Sequence, residues 1–155
     1  MYTTKVKYTY DEYKKLSEFS VNLQLRKTKI ICYVLVAIIS ALTFFVTQSI
    51  YGALLVLAVA LFIPAMTKFN TNRLIRKIWN SNKLMQNDEV EIIFDDSGWS
   101  TVNERGTYSY KYDDIYKIAE TKTNIYIFTS INTATILVKD NCSEELIDFI
   151  RKLKK

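Results

Sequence analysis

The chain contains no histidine. That absence removes the commonest general base and the commonest metal ligand. Only three glycines occur, Gly52, Gly98 and Gly106, too scattered for a phosphate-cradling loop. The two cysteines, Cys32 and Cys142, are far apart and have no neighbouring base to activate them. They read as free thiols of a reducing compartment rather than as a disulfide framework. The largest gap is one of charge. No Lys, Arg, Asp or Glu occurs from Ile30 to Thr67, a run of 38 residues. As one helix that run would be about 57 Å long. A bilayer core is about 30 Å thick, so one span is too long and two spans fit.

The division falls at "TQSIYG", where Thr47, Gln48 and Ser49 are consecutive polar residues and Gly52 follows. Helix one is expected over Ile30 to Thr47 and helix two over Ile50 to Met66, with Pro64 near its end. Neither stretch has a charged face, whereas a soluble helix shows one apolar stripe. Tyr33 and Tyr51 suit the two interfaces. Asp11, Glu12 and Glu18 precede the apolar run and a second run follows, which argues against a signal peptide. Ala37 and Ala41 have a small-xxx-small spacing, suited to pairing with helix two or to self-association.

The formal charge of +5 is unevenly spread: +4 over residues 1–29, +5 over 68–87 and −4 over 88–155. The basic flanks are Arg26, Lys27 and Lys29 on one side and Lys68, Arg73, Arg76 and Lys77 on the other. The positive-inside rule puts both flanks, and so both termini, in the cytoplasm of a two-span protein of the cell membrane. The bases also suit anionic lipid head groups. The acidic C-terminal part argues against nucleic acid as a partner.

Four segments follow. Residues 1–29 form a cytoplasmic strand and helix, with "VKYTY" as the strand and Thr9-x-x-Glu12 as a capping box. Residues 30–67 are the transmembrane hairpin, and 68–87 a basic helical stalk. Residues 88–155 form a cytoplasmic antiparallel sheet domain. There Val90, Ile92 and Phe94 alternate, "DDSG" turns with Gly98 free to take positive φ, and Trp99 to Asn103 returns. Tyr108, Tyr110 and Tyr112 line a third strand. Tyr116 to Thr121, Ile125 to Ser130 and Thr133 to Val138 supply three more. The last helix is capped by Asn141 or Ser143. Glu144 and Glu145 occupy its first turn, and Arg151, Lys152, Lys154 and Lys155 its last.

The hairpin after an N-terminal strand and helix, "IIFDDSGWS", "YSYKYDDIYKIAETKTNIYIF" and "ILVKDNCSEELIDFIRKL" resemble the YcxB-like family of small bacterial membrane proteins. The resemblance implies a cytoplasmic domain similar to a pleckstrin-homology (PH-like) sheet and carries no catalytic residues. The fold class expected is therefore an α+β membrane protein: a two-helix hairpin plus a PH-like antiparallel sheet closed by a C-terminal helix.

Two acidic pairs, Asp95-Asp96 and Asp113-Asp114, admit a joint cation or acid–base site, but each reads first as a polar turn at a strand end. Trp99, Tyr108, Tyr110 and Tyr112 form a candidate interaction surface or, equally, a half-buried core row. No enzyme and no cofactor are expected. The leading expectation is a membrane anchor presenting its sheet domain to lipid or to a protein, with a second copy of itself among the partners. The rivals are a small immunity protein against a toxin and an accessory subunit of a transporter.

Overall fold

The computed structural model describes residues 1–153, apart from the side chain of Ala53. Lys154 and Lys155, expected in the last helical turn, lie outside the described residues. The fold is α+β, with two antiparallel sheets, a C-terminal helix and a helical hairpin. It divides into two compact units. One comprises Met1–Leu16 with the chain from Asn82 onward, and the other is Ser17–Ser81.

The first unit is a sheet domain. Strands β1 (Tyr2–Lys7), β2 (Glu89–Phe94), β3 (Gly98–Asn103) and β4 (Gly106–Lys111) form one sheet in that order, all antiparallel. Strands β5 (Lys117–Glu120), β6 (Asn124–Phe128) and β7 (Ala134–Val138) form a second antiparallel meander. Helix α3 (Glu144–Leu153) follows, with Leu146 and Ile150 buried one helical turn apart. The sequence alternation works as expected in β2: Val90, Ile92 and Phe94 point inward. Central strand β6 is buried along its whole length, so its sequence, "NIYIF", carries no alternation. Ser143 is the cap of α3, its Oγ accepting the Leu146 amide at 3.2 Å. The Asn141 side chain is used elsewhere, donating to the Lys5 carbonyl at 2.8 Å.

The first strand lies earlier than "VKYTY". Thr4 and Val6 point inward in β1, and Tyr8 already turns the corner, its amide donating to Asp88 at 2.9 Å. Thr9 then starts a helix, its Oγ1 accepting the Glu12 amide at 3.3 Å. The apolar period ran on through Tyr8 and Tyr10, but the cap outweighs it. Glu12 does not complete a capping box. Its carboxylate takes Lys15 at 2.6 Å and the side-chain amide of Asn124 in β6.

The second unit is the hairpin, formed by the greater part of α1 (Tyr10–Thr47) and by α2 (Ile50–Ser81). The expected ends at Thr47 and Ile50 are those found. Between them Gln48 takes φ 51°, and its side chain donates back to Phe45 at 2.9 Å. Thr43 and Thr47 donate to the carbonyls one turn back at 2.8 and 2.7 Å, which satisfies both hydroxyls within the helix. Gly52 lets the helices approach: a Cβ there would stand 3.1 Å from Thr43 Cγ2. The face of α1 turned to its partner therefore carries Ser40, Thr43 and Thr47. Ala37 and Ala41, expected to serve that contact or self-association, are exposed and do not serve the first.

The expected helical stalk is the continuation of α2. Helix α2 continues through Lys68, Arg73, Arg76 and Lys77 to Ser81, which makes Pro64 an interior residue rather than a terminal one. Likewise α1 runs without a break through Arg26, Lys27 and Lys29. Charge marks a change of surroundings along these helices, not an end of helix.

Candidate functional site

Three features of the molecule are candidates: the aromatic row of the sheet domain, the acidic turn beside it, and the apolar helices with their basic flanks. The row divides. Trp99 is 1% exposed, so it lies inside and not on a surface. Its indole donates to Thr135 Oγ1 at 3.3 Å, and its ring stacks on Tyr110 at 5.1 Å and on Tyr112 at 6.2 Å. Tyr112 also meets Phe149 of α3 edge-on at 6.0 Å. Only Tyr108, 58% exposed, presents its ring outward. It sits on β4, which has a ladder partner on one side only.

The turn between β2 and β3 is an Asx turn. Asp95 Oδ1 accepts the Ser97 amide and hydroxyl, both at 2.7 Å, and the Gly98 amide at 2.9 Å. Those bonds hold its carboxyl below the usual range, the Ser97 hydroxyl first among them. Asp114 similarly accepts the Lys111 amide at 2.9 Å where β4 ends. One member of each acidic pair, Asp95 and Asp114, thus serves a strand end. The Tyr112 hydroxyl donates to the Asp95 carbonyl at 2.6 Å, tying β4's end to this turn, and burial raises its pKa. Gly98 has no positive φ. It is needed because β4 runs too close for any side chain.

Sequence reasoning missed a charged fork. Glu120 of β5 receives Arg151 of α3 through Nη2 at 2.7 Å and Nε at 3.2 Å, and Lys139 at 2.7 Å. The Arg151 and Lys139 contacts bring the Glu120 pKa down to about 2. Alternation and capping rules see each element alone, so a bridge from strand to helix left no local signal.

In the hairpin, Arg26, Lys27, Lys29, Lys68, Arg73, Arg76 and Lys77 are all exposed. Between the two basic flanks, the most apolar window is 6% buried in α1 and 0% buried in α2. Both helices are long and apolar enough to cross a membrane, and they keep that apolar surface outward.

Residues 94–154 match the family model described as YcxB-like protein. Over that stretch the chain is similar to that family. The match begins at the end of β2 and takes in the Asx turn, the aromatic row, the fork and α3. Strand β1 and the hairpin lie outside it. No curated protein and no solved structure matches the chain. The YcxB-like segment and the two apolar helices together fit a membrane protein.

Proposed function

We propose that the chain is a non-enzymatic protein of the bacterial cell membrane, in which a two-span hairpin anchors a cytoplasmic PH-like domain that binds a protein or lipid partner. The observation that carries this reading is the pairing of β1 with β2, in register from Tyr2 with Phe94 to Lys7 with Glu89. The whole hairpin lies between those two strands. A chain whose segments before and after the hairpin meet in one sheet must leave and re-enter on the same side of the bilayer. That favours an even number of crossings. The basic flanks favour the cytoplasm as that side.

Four strands, then three, then a C-terminal helix is the arrangement a PH-like domain has, and it supports that assignment. Strand β4 is the surface we assign to a partner, because its outer edge has no ladder partner among the described residues and Tyr108 projects from it. The test is carbonate washing of membrane vesicles together with protease access to a C-terminal tag. The protein should stay with the pellet, and the tag should be cut only in opened cells. Release by carbonate, or cutting in intact cells, overturns the reading.

A further inference from the structure

The hairpin holds a groove of about 520 Å³ between α1 and α2, toward the basic ends of both helices. Its lining has two halves. Toward the turn it is apolar, with Tyr33, Val36, Ala60, Ile63 and Pro64. Away from the turn it gains polar groups, Glu18, Asn22, Lys29, Lys68 and Asn72, set among Val21 and Leu25. The change falls at one height on both helices. Lys29 and Lys68 each lie eighteen residues from the helix end at the turn, or about 27 Å along the axis. That is close to the ~30 Å hydrocarbon thickness, so the polar half lies at head-group depth and the apolar half at acyl depth.

One detail asks for a ligand with a donor. Among the described residues Asn72 Oδ1 is buried and has no hydrogen-bond partner, an arrangement that calls for an explanation. Lys29 already donates to Asn22 Oδ1 at 2.9 Å, which steadies its ammonium at the polar end.

We infer that the groove holds one glycerophospholipid whose head group carries an ammonium with hydrogens, as phosphatidylethanolamine does. Its phosphate meets Lys29 and Lys68. One acyl chain lies along Val36, Ala60 and Ile63. The ammonium lies beside Asn72, whose amide turns to bring its buried Oδ1 into the groove, and the Glu18 carboxylate lines the same end. Phosphatidylcholine shares the phosphate and the chains but has no N–H to give. This inference rests on the membrane reading above, whose failure carbonate release would reveal separately.

The experiment is native mass spectrometry of the full chain in detergent, with phosphatidylethanolamine, phosphatidylglycerol or phosphatidylcholine added. One phosphatidylethanolamine per chain should be retained, ahead of phosphatidylglycerol and well ahead of phosphatidylcholine. Lys29→Gln with Lys68→Gln should weaken retention about thirtyfold, from the loss of two bases beside a phosphate. Asn72→Leu should bring phosphatidylethanolamine down to the phosphatidylcholine level. A second readout leaves the lining intact. In a Cys142→Ser chain, maleimide labelling of Cys32, which lines the groove, should slow on adding phosphatidylethanolamine and not phosphatidylcholine. Retention of all three lipids alike, no lipid retained, or a lipid-free dimer with Cys32 protected would each overturn the inference. The dimer would assign the groove to a second copy of the chain.

Discussion

Gly98 of β3 lies against the Tyr110 carbonyl of β4, diagonal to its partner Lys111, at a distance that admits no side chain: a Cβ on Gly98 would stand 1.9 Å from the Tyr110 carbonyl oxygen. The obstacle is backbone, so no rotamer change relieves it. Gly98→Ala must part the two strands where Trp99 stacks on Tyr110. We expect a loss of about 2–4 kcal/mol, the range for named core and backbone defects. Thermal unfolding followed by near-ultraviolet circular dichroism checks this, with a midpoint lowered by about 10 °C or more.

The tyrosines should separate by role. Tyr112→Ala removes ring contacts with Trp99 and Phe149 and a hydroxyl bonded to Asp95, and should cost about 2 kcal/mol or more of domain stability. Tyr108→Ala should change stability by less than about 0.5 kcal/mol. If β4 is the partner-binding edge, Tyr108→Ala reduces recovery of a crosslinked partner from native membranes, and an unchanged crosslinking pattern counts against that edge.

The fork on Glu120 sets an acid dependence. Its folded pKa of about 2 lies below the ordinary 4.5, so the carboxylate favours the folded state at neutral pH. The contribution is complete above pH 4.5 and disappears as pH falls from there through 2. The group is close to solvent, so we expect no more than about 1 kcal/mol, screened by salt. Glu120→Gln should melt below the wild type at pH 7, and the two should converge as pH approaches 2. A constant gap across that window would mean that the fork's charge does not matter.

Gly52 tests the hairpin. Its added Cβ would meet only the tips of Thr43 and Thr47, at 3.1 and 3.4 Å. Gly52→Ala should therefore be tolerated after a shift of a few tenths of an ångström. Gly52→Leu should splay the helices. Cysteine crosslinking between the helices at positions flanking the turn reads the difference: little change for Ala and a marked loss for Leu.

What could be read from the sequence was mostly local. Gln48 and Ser49 break an uncharged run whose length requires a break, so Thr47 and Ile50 were legible as helix ends. The alternation of Val90, Ile92 and Phe94 and the hydroxyl of Ser143 were equally plain. The first strand was misread where two local signals competed: at Thr9 a helix cap overrode a strand period. At Lys29 and Lys68 charge marks the membrane border without ending a helix, so the helix expected before the first span and the helical stalk expected after the second are continuous with the spans. Of the site residues, the split among Trp99, Tyr112 and Tyr108 depends on where α3 packs, which no spacing along β4 reveals. The Glu120 fork and the unpartnered Asn72 oxygen arise only when distant segments meet.

The register of Tyr2 with Phe94 also imposes a timetable. The first strand leaves the ribosome early, but its partner follows about ninety residues later. At 5–20 residues per second that wait is roughly 5–20 s. During it both oily helices are synthesised, ready for the insertion machinery, while the sheet still lacks its neighbour. Membrane entry can therefore come before domain closure, and a chain stalled between the two events would expose an unpaired β1 to whatever chaperone or neighbour is at hand.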